Sequence, residues 1–161
     1  VDDHGLVPLS VEILVLRADE GGWRYRRLVT ALRDGETPDE AVRRHVGVAA
    51  DDQTTVVHST SWRYQPQGRL VLTYAVCPDP DPRRPAEELT EFRLARGAAP
   101  ARPAPDDLRV GDVAAHALRH LAHLLRSDPV VAEAFGATPD VVRGLRRLPS
   151  ELVMAGPSAS A

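Results

Sequence analysis

The chain has 161 residues, the size of one ordinary domain, and 43% of them are apolar, enough to bury a core. Its 20 basic residues, all arginine, face 23 acidic ones for a net charge of −3, so no overall positive field recruits phosphate backbones and bulk nucleic-acid binding is disfavoured. The single cysteine, Cys77, cannot close an internal disulfide, and no run of roughly 18 apolar residues is available to cross a bilayer, which argues against a cystine-stapled or membrane-spanning protein.

Val1-Asp2-Asp3-His4-Gly5 lacks the basic flank and apolar stretch of a secretory signal, so a cytoplasmic protein is expected. Exclusive use of arginine, with abundant Ala, Pro, Asp and Val, is a codon signature of the kind a high-GC bacterium leaves and says nothing of function. Val11-Glu12-Ile13-Leu14-Val15-Leu16 reads as a largely buried strand, and Asp19-Glu20-Gly21-Gly22 breaks it. The alternating Trp23-Arg24-Tyr25-Arg26-Arg27-Leu28-Val29 that follows completes an antiparallel hairpin. Thr37, Pro38 and Glu40 form a capping box with proline at the first helical position. The helix they open is about ten residues long, carries Ala41, Val42 and Val46 as its apolar stripe, and ends at Gly47.

Thr54 to Tyr64 and Arg69 to Val76 read as a second hairpin about the turn Gln65-Pro66-Gln67-Gly68. The proline-rich stretch Pro78 to Pro85 cannot support a hydrogen-bond ladder and is expected to be loop. Glu91 to Ala95 reads as a short strand, and Gly97 to Pro105 as a connector. From Gly111 to Arg126, Ala114, Ala117, Leu118, Leu121, Leu124 and Leu125 share one helical face. Asp128-Pro129 and Thr138-Pro139 then open two short helices, ending near Phe135 and Leu148. The expected organisation is a single domain over residues 1–150, with a core at 9–96, a linker at 97–107 and helices at 108–150, then a flexible tail at 151–161.

This element order, with Gly35-Glu36-Thr37-Pro38 leading into Asp39-Glu40-Ala41-Val42-Arg43-Arg44, resembles the Nudix hydrolase family. That family's box runs Gly, five residues, Glu, seven residues, Arg-Glu, an aliphatic residue, any residue, Glu-Glu, any residue, Gly. With Arg44 on the family's arginine, Glu36 falls on its first glutamate. Thr30 replaces the leading Gly, His45, Val48 and Ala49 replace the three metal-binding glutamates, and Asp51 replaces the closing Gly. The resemblance implies a mixed sheet sandwiched by helices, with a helical C-terminal segment. It also implies that Glu36 and Arg44 brace the loop against the helix. Hard divalent cations need several oxygen ligands, and the family's set is gone, so neither metal nor cofactor is expected. Asp51, Asp52 and Glu12 are the carboxylates from which a relocated set could come.

Other residues have bland readings beside sharper ones. His116, His120 and His123 fall within about 60° on one helix face, a metal-binding spacing. Arg119 and Arg126 would repel a cation there, so a polar surface face is the expected reading. Arg24 and Arg26 beside Trp23 and Tyr25, and Arg63 between Trp62 and Tyr64, could hold a phosphate and stack a base; alternation with aromatics inward and arginines outward needs no ligand. His45 and His58 read as isolated structural histidines, Cys77 as a small buried hydrophobe, and Ser59-Thr60-Ser61 lacks the glycine frame of a nucleophile elbow.

The function expected is a non-catalytic Nudix-like domain that binds a small, nucleotide-like ligand or a protein partner between the box helix and the Trp62-Tyr64 strand. Arg33, Glu36, Arg44, Trp62 and Tyr64 are the candidate site. Two alternatives stay open: a divergent diphosphate hydrolase with relocated metal ligands, and a module that self-associates, for instance as a homodimer, through its C-terminal helices.

Overall fold

In a computed structural model the described residues are 8–90 and 109–149. Five strands, β1 (Leu9–Asp19), β2 (Gly22–Thr30), β3 (Val56–Gln65), β4 (Arg69–Cys77) and β5 (Glu87–Glu88), form one mixed sheet in the order β3-β4-β1-β2-β5. β1 runs parallel to β4; every other pairing is antiparallel, including the two expected hairpins. Helices α1 (Pro38–Val46), α2 (Val110–Ser127), α3 (Pro129–Phe135) and α4 (Pro139–Arg146) complete the structure. The expected strand at 91–95, the linker at 97–107 and the tail at 151–161 lie outside the described residues. No helix among the described residues is long and apolar enough to cross a membrane.

Strand alternation divides the interior. Val11, Ile13 and Val15 of β1 meet Val42 of α1 and Val76 of β4, whereas Leu14 and Leu16 join Trp23, Tyr25, Ala75 and the apolar sides of α2, α3 and α4. Because β1 is covered on both faces it reads as a near-continuous apolar run.

Caps follow the sequence closely. At α1, Thr37 Oγ1 accepts from the Glu40 N–H and the Glu40 carboxylate accepts from the Thr37 N–H, while Gly47 closes the helix at φ 76°. Asp128 caps α3 by accepting from the Val130 N–H at 2.9 Å. Thr138 departs from this pattern: Pro139 does open α4, but the Thr138 hydroxyl makes no capping bond, and its main-chain carbonyl takes the Val141 N–H instead.

α4 approaches β2 closely enough that only glycine fits at 144. A Cβ there would stand 2.9 Å from Cζ2 and 3.0 Å from Cε2 of the buried Trp23 indole. The ring is rigid and cannot yield. Gly144→Ala gains roughly 1 kcal/mol of helix propensity but incurs about 1–3 kcal/mol of overpacking. We expect a net loss near 1 kcal/mol in urea unfolding, opposite in sign to an exposed helical Gly→Ala change.

Candidate functional site

The turn into α1 is a closed circuit of hydrogen bonds. Glu36 Oε1 accepts from Arg44 Nε at 2.7 Å, and its Oε2 accepts from Arg44 Nη2 at 3.0 Å and from the Arg33 N–H at 2.8 Å. Arg44 Nη2 also reaches the Ala31 carbonyl at 3.3 Å. Hydrogen bonds from Arg44 and from the Arg33 backbone hold the Glu36 carboxyl down at about 2, so it is ionised at any ordinary pH. This bidentate pair ties the end of β2 to α1 and leaves Arg44 little to offer a ligand. The Arg33 guanidinium, by contrast, is exposed and makes no hydrogen bond or ion pair among the described residues, feeling Glu36 only through its charge.

Positions 45, 48 and 49 do not form a ligand face. α1 stops at Val46, both the Gly47 and Val48 N–H groups bond to the Arg43 carbonyl, Val48 turns into the protein, and His45 and Ala49 are exposed. Two of the three relocated carboxylates fare no better, and Asp51 is exposed. Asp52 is consumed by the turn it shapes, accepting from the Thr54 N–H at 2.7 Å and hydroxyl at 2.9 Å and from Thr55, and these bonds hold its carboxyl below the usual range. Glu12 alternates with Val11 and Ile13, which face α1, and therefore points to the other side of the sheet. No group of three His, Cys, Asp or Glu able to hold a metal exists among the described residues.

Trp62 and Tyr64 are where the two strands with alternating arginines part company. On β2 the aromatics are inside: Trp23 is 4% and Tyr25 8% exposed, and Arg26 turns to the α1 side to pair with Asp79. On β3 the order is reversed, with Trp62 and Tyr64 each 59% exposed and Arg63 directed into the sheet's other face. The cause is a bulge. Thr60 is an extra residue between the pairs Ser59↔Tyr74 and Ser61↔Thr73, and one inserted residue exchanges the faces of everything beyond it. The two outward rings meet edge to face with centroids 6.4 Å apart. Trp62 ends a row across four strands, Thr30–Val11–Leu72–Trp62, on the α1 side of the sheet. The row spans roughly 14 Å at ordinary strand spacing. Its Thr30 end adjoins the Ala31–Arg44–Glu36 brace, so the candidate residues share one face in two groups; no hydrogen bond or ring contact joins them.

Two ionic clusters escaped the sequence reading. Glu12, 1% exposed, accepts from Arg63 Nη1 and Nη2 at 2.9 Å each, from Arg27 Nε at 2.6 Å and from the Thr73 hydroxyl at 2.9 Å. Asp79, also buried, accepts from Arg17 and Arg26 and pins the proline-rich loop to the sheet. The signal for the first was a lone acid inside an apolar strand, which demands a cationic partner.

The histidines also need correction. His116 and His120 do not form a polar surface face: they pack against β3, where His116 Nε2 lies 3.3 Å from the Thr60 carbonyl and the His120 ring lies 5.1 Å from that of His58. His58 is thus not isolated; His123 is exposed as expected. Cys77 is buried, and burial pushes its thiol well above the usual range. Hollows of about 350 Å³ between the β1–β2 turn and α4, and about 300 Å³ beside Tyr25 and Leu89, are lined by none of the five candidate residues. No family model, curated protein or solved structure matches this chain.

Proposed function

We propose that this chain is a Nudix-like domain that binds rather than hydrolyses, taking a small planar anion of nucleotide-like chemistry on the α1 side of the sheet. Trp62 and Tyr64 offer ring faces for stacking, Arg33 supplies an exposed positive charge held by no hydrogen bond, and the Glu36–Arg44 pair keeps the intervening loop rigid. The observation that carries the reading is the exposure of Trp62 and Tyr64. Aromatic rings elsewhere on the sheet are buried or half-buried, and a bulge turns these two to solvent. Bulges re-aim side chains next to functional sites.

The hydrolase alternative is disfavoured because Glu12 and Asp52 are committed to other partners and Glu12 faces away from α1. Self-association through the C-terminal helices has less support too. Their apolar sides are spent on the sheet, and Val130 is the only large apolar side chain strongly exposed on them among the described residues.

Fluorescence tests the reading, since Trp62 is exposed and Trp23 sealed. Titration with a panel of nucleoside mono-, di- and triphosphates is expected to quench the exposed tryptophan. Trp62→Ala is expected to weaken binding, measured by calorimetry, at least about fivefold, the scale of a base–aromatic stack worth about 1–3 kcal/mol. Stability should stay within about 0.5 kcal/mol, as for other exposed sites. Binding indifferent to both Trp62→Ala and Tyr64→Ala overturns the site. Phosphate release with Mg²⁺ or Mn²⁺ that falls when Asp51 and Asp52 are replaced restores the hydrolase.

A further inference from the structure

The seam between α2 and β3 holds imidazoles where a packed interface ordinarily holds apolar or paired side chains. His58 projects from β3 toward α2, and its ring meets that of His120 at 5.1 Å between centroids with planes tilted by 48°. His58 Nδ1 is 2.8 Å from the Ser59 carbonyl, and His116 Nε2 is 3.3 Å from the carbonyl of the bulged Thr60. A carbonyl only accepts, so each of those nitrogens carries a hydrogen. His120 Nε2 is buried with no partner at all.

The surroundings offer nothing to neutralise a cation. From α2 itself the neighbours are His116, Arg119 and His123, and from β3 the neighbour is His58. β4 places Ala75 opposite His58. α3 brings Glu133, which is exposed, and Asp128, which caps its own helix. On the same face of the sheet Glu12 is saturated by Arg27 and Arg63, and Asp112, one turn before His116, is engaged by Arg109. No carboxylate pairs with any of these rings among the described residues.

We infer that the α2–β3 seam is a pH-sensitive latch, closed while the His120 ring packed against His58 is neutral and released when His120 takes up a proton. A proton on the His120 ring puts a charge in a part-buried site beside Arg119 and a second imidazole, whereas the same ring in water accepts it freely. Burial, followed by the neighbouring His58, His116, His123 and Arg119, pushes the His120 ring below the ordinary histidine value, and burial does the same to His116. The sign follows. A histidine depressed in the closed state binds fewer protons there than in the open state, so closure is fully stable above about pH 6.5 and weakens as pH falls from there toward the depressed values. The loss reaches about tenfold in the closure equilibrium per pH unit for each histidine involved.

The test uses the full chain. Hydrogen-exchange protection factors are compared at pH 7.5 and 5.5, with α1, on the opposite face of the sheet, as the internal control, and imidazole C–H resonances are titrated over the same range. The expected result is a fall in α2 protection, up to about tenfold for His120, while α1 holds, with the His120 ring titrating below 6.5. In His120→Leu, which cannot take a proton at this position, the ratio of α2 to α1 protection should depend on pH more weakly than in the natural chain, leaving only what His116 contributes. An unchanged ratio in the natural chain, an equal fall in both helices, or a His120 ring titrating at or above 6.5 overturns the latch. These three outcomes need no variant, so misfolding of His120→Leu leaves the proposal decidable.

Discussion

Glu12→Ala is expected to destabilise the protein by about 3–5 kcal/mol, the penalty of leaving buried cationic partners without their counter-charge. Glu12 is essentially buried and its two oxygens accept four hydrogen bonds from Arg63, Arg27 and Thr73. Arg63, with a side chain only 17% exposed, carries most of the loss; Arg27, at 38%, can turn to water. Urea unfolding checks the figure, and a loss under 1 kcal/mol contradicts it. Replacing the pair together, as Glu12→Leu with Arg63→Met, should recover much of the loss, because similar apolar volume without a stranded charge is often neutral or better. The pH dependence has a definite sign. Burial pushes the Glu12 carboxyl up, but hydrogen bonds from Arg63 and Arg27 outweigh it and hold the group below its ordinary value of 4.5. The stability it contributes is therefore present above 4.5 and lost as pH falls toward the depressed value. Glu12→Gln should show a flatter acid limb than the natural chain, along with a loss at pH 7.

How much of this was legible in the sequence depended on whether the signal was local. The capping box at Thr37 and Glu40, the αL stop at Gly47 and both hairpins were, because each is decided by residues within a few positions of one another. The Glu36–Arg44 brace was anticipated only as what the family resemblance implies. What escaped required knowing which strands are neighbours. β2 and β3 carry the same Arg/aromatic alternation, yet Trp23 and Tyr25 turn inward while Trp62 and Tyr64 turn outward. Nothing in Ser59-Thr60-Ser61 announces a bulge; it exists because Val56 and His58 must face α2 while Arg63, beyond it, must reach Glu12 on the same side. Removing that one extra residue would bury the two rings and strand the ion pair. The histidines failed for a related reason. A helical wheel separates them from the apolar arc, but a wheel does not show that β3 lies against their side of α2.

The second large effect is expected on the opposite side of the ledger from charge. Phe135, wholly buried at the end of α3, shares one core with Leu14, Leu16, Trp23, Leu118 and Leu121. Phe135→Ala should cost about 3–5 kcal/mol, transfer and cavity terms together, and lower the thermal midpoint by roughly 10 °C for a chain of this size. Phe135→Leu, which keeps most of the apolar volume, should lose roughly half as much or less. The contrast with Trp62→Ala is the point. A larger ring removed from the exposed face should leave stability almost untouched, because only burial converts aromatic area into folding energy. The mode of unfolding is predicted as well. The cores on the two faces are separate clusters, but β1 sends Val11, Ile13 and Val15 into one and Leu14 and Leu16 into the other, so at neutral pH, with the α2–β3 seam closed, neither can dissolve without unravelling the strand that supports its counterpart. Far-ultraviolet circular dichroism and the fluorescence of the buried Trp23 should therefore fall together in Phe135→Ala, at a lower denaturant midpoint and with the slope of the natural chain. Transitions that separate by probe would show that the α2–α4 layer unfolds before the α1 side, and that alternation along β1 does not couple the two.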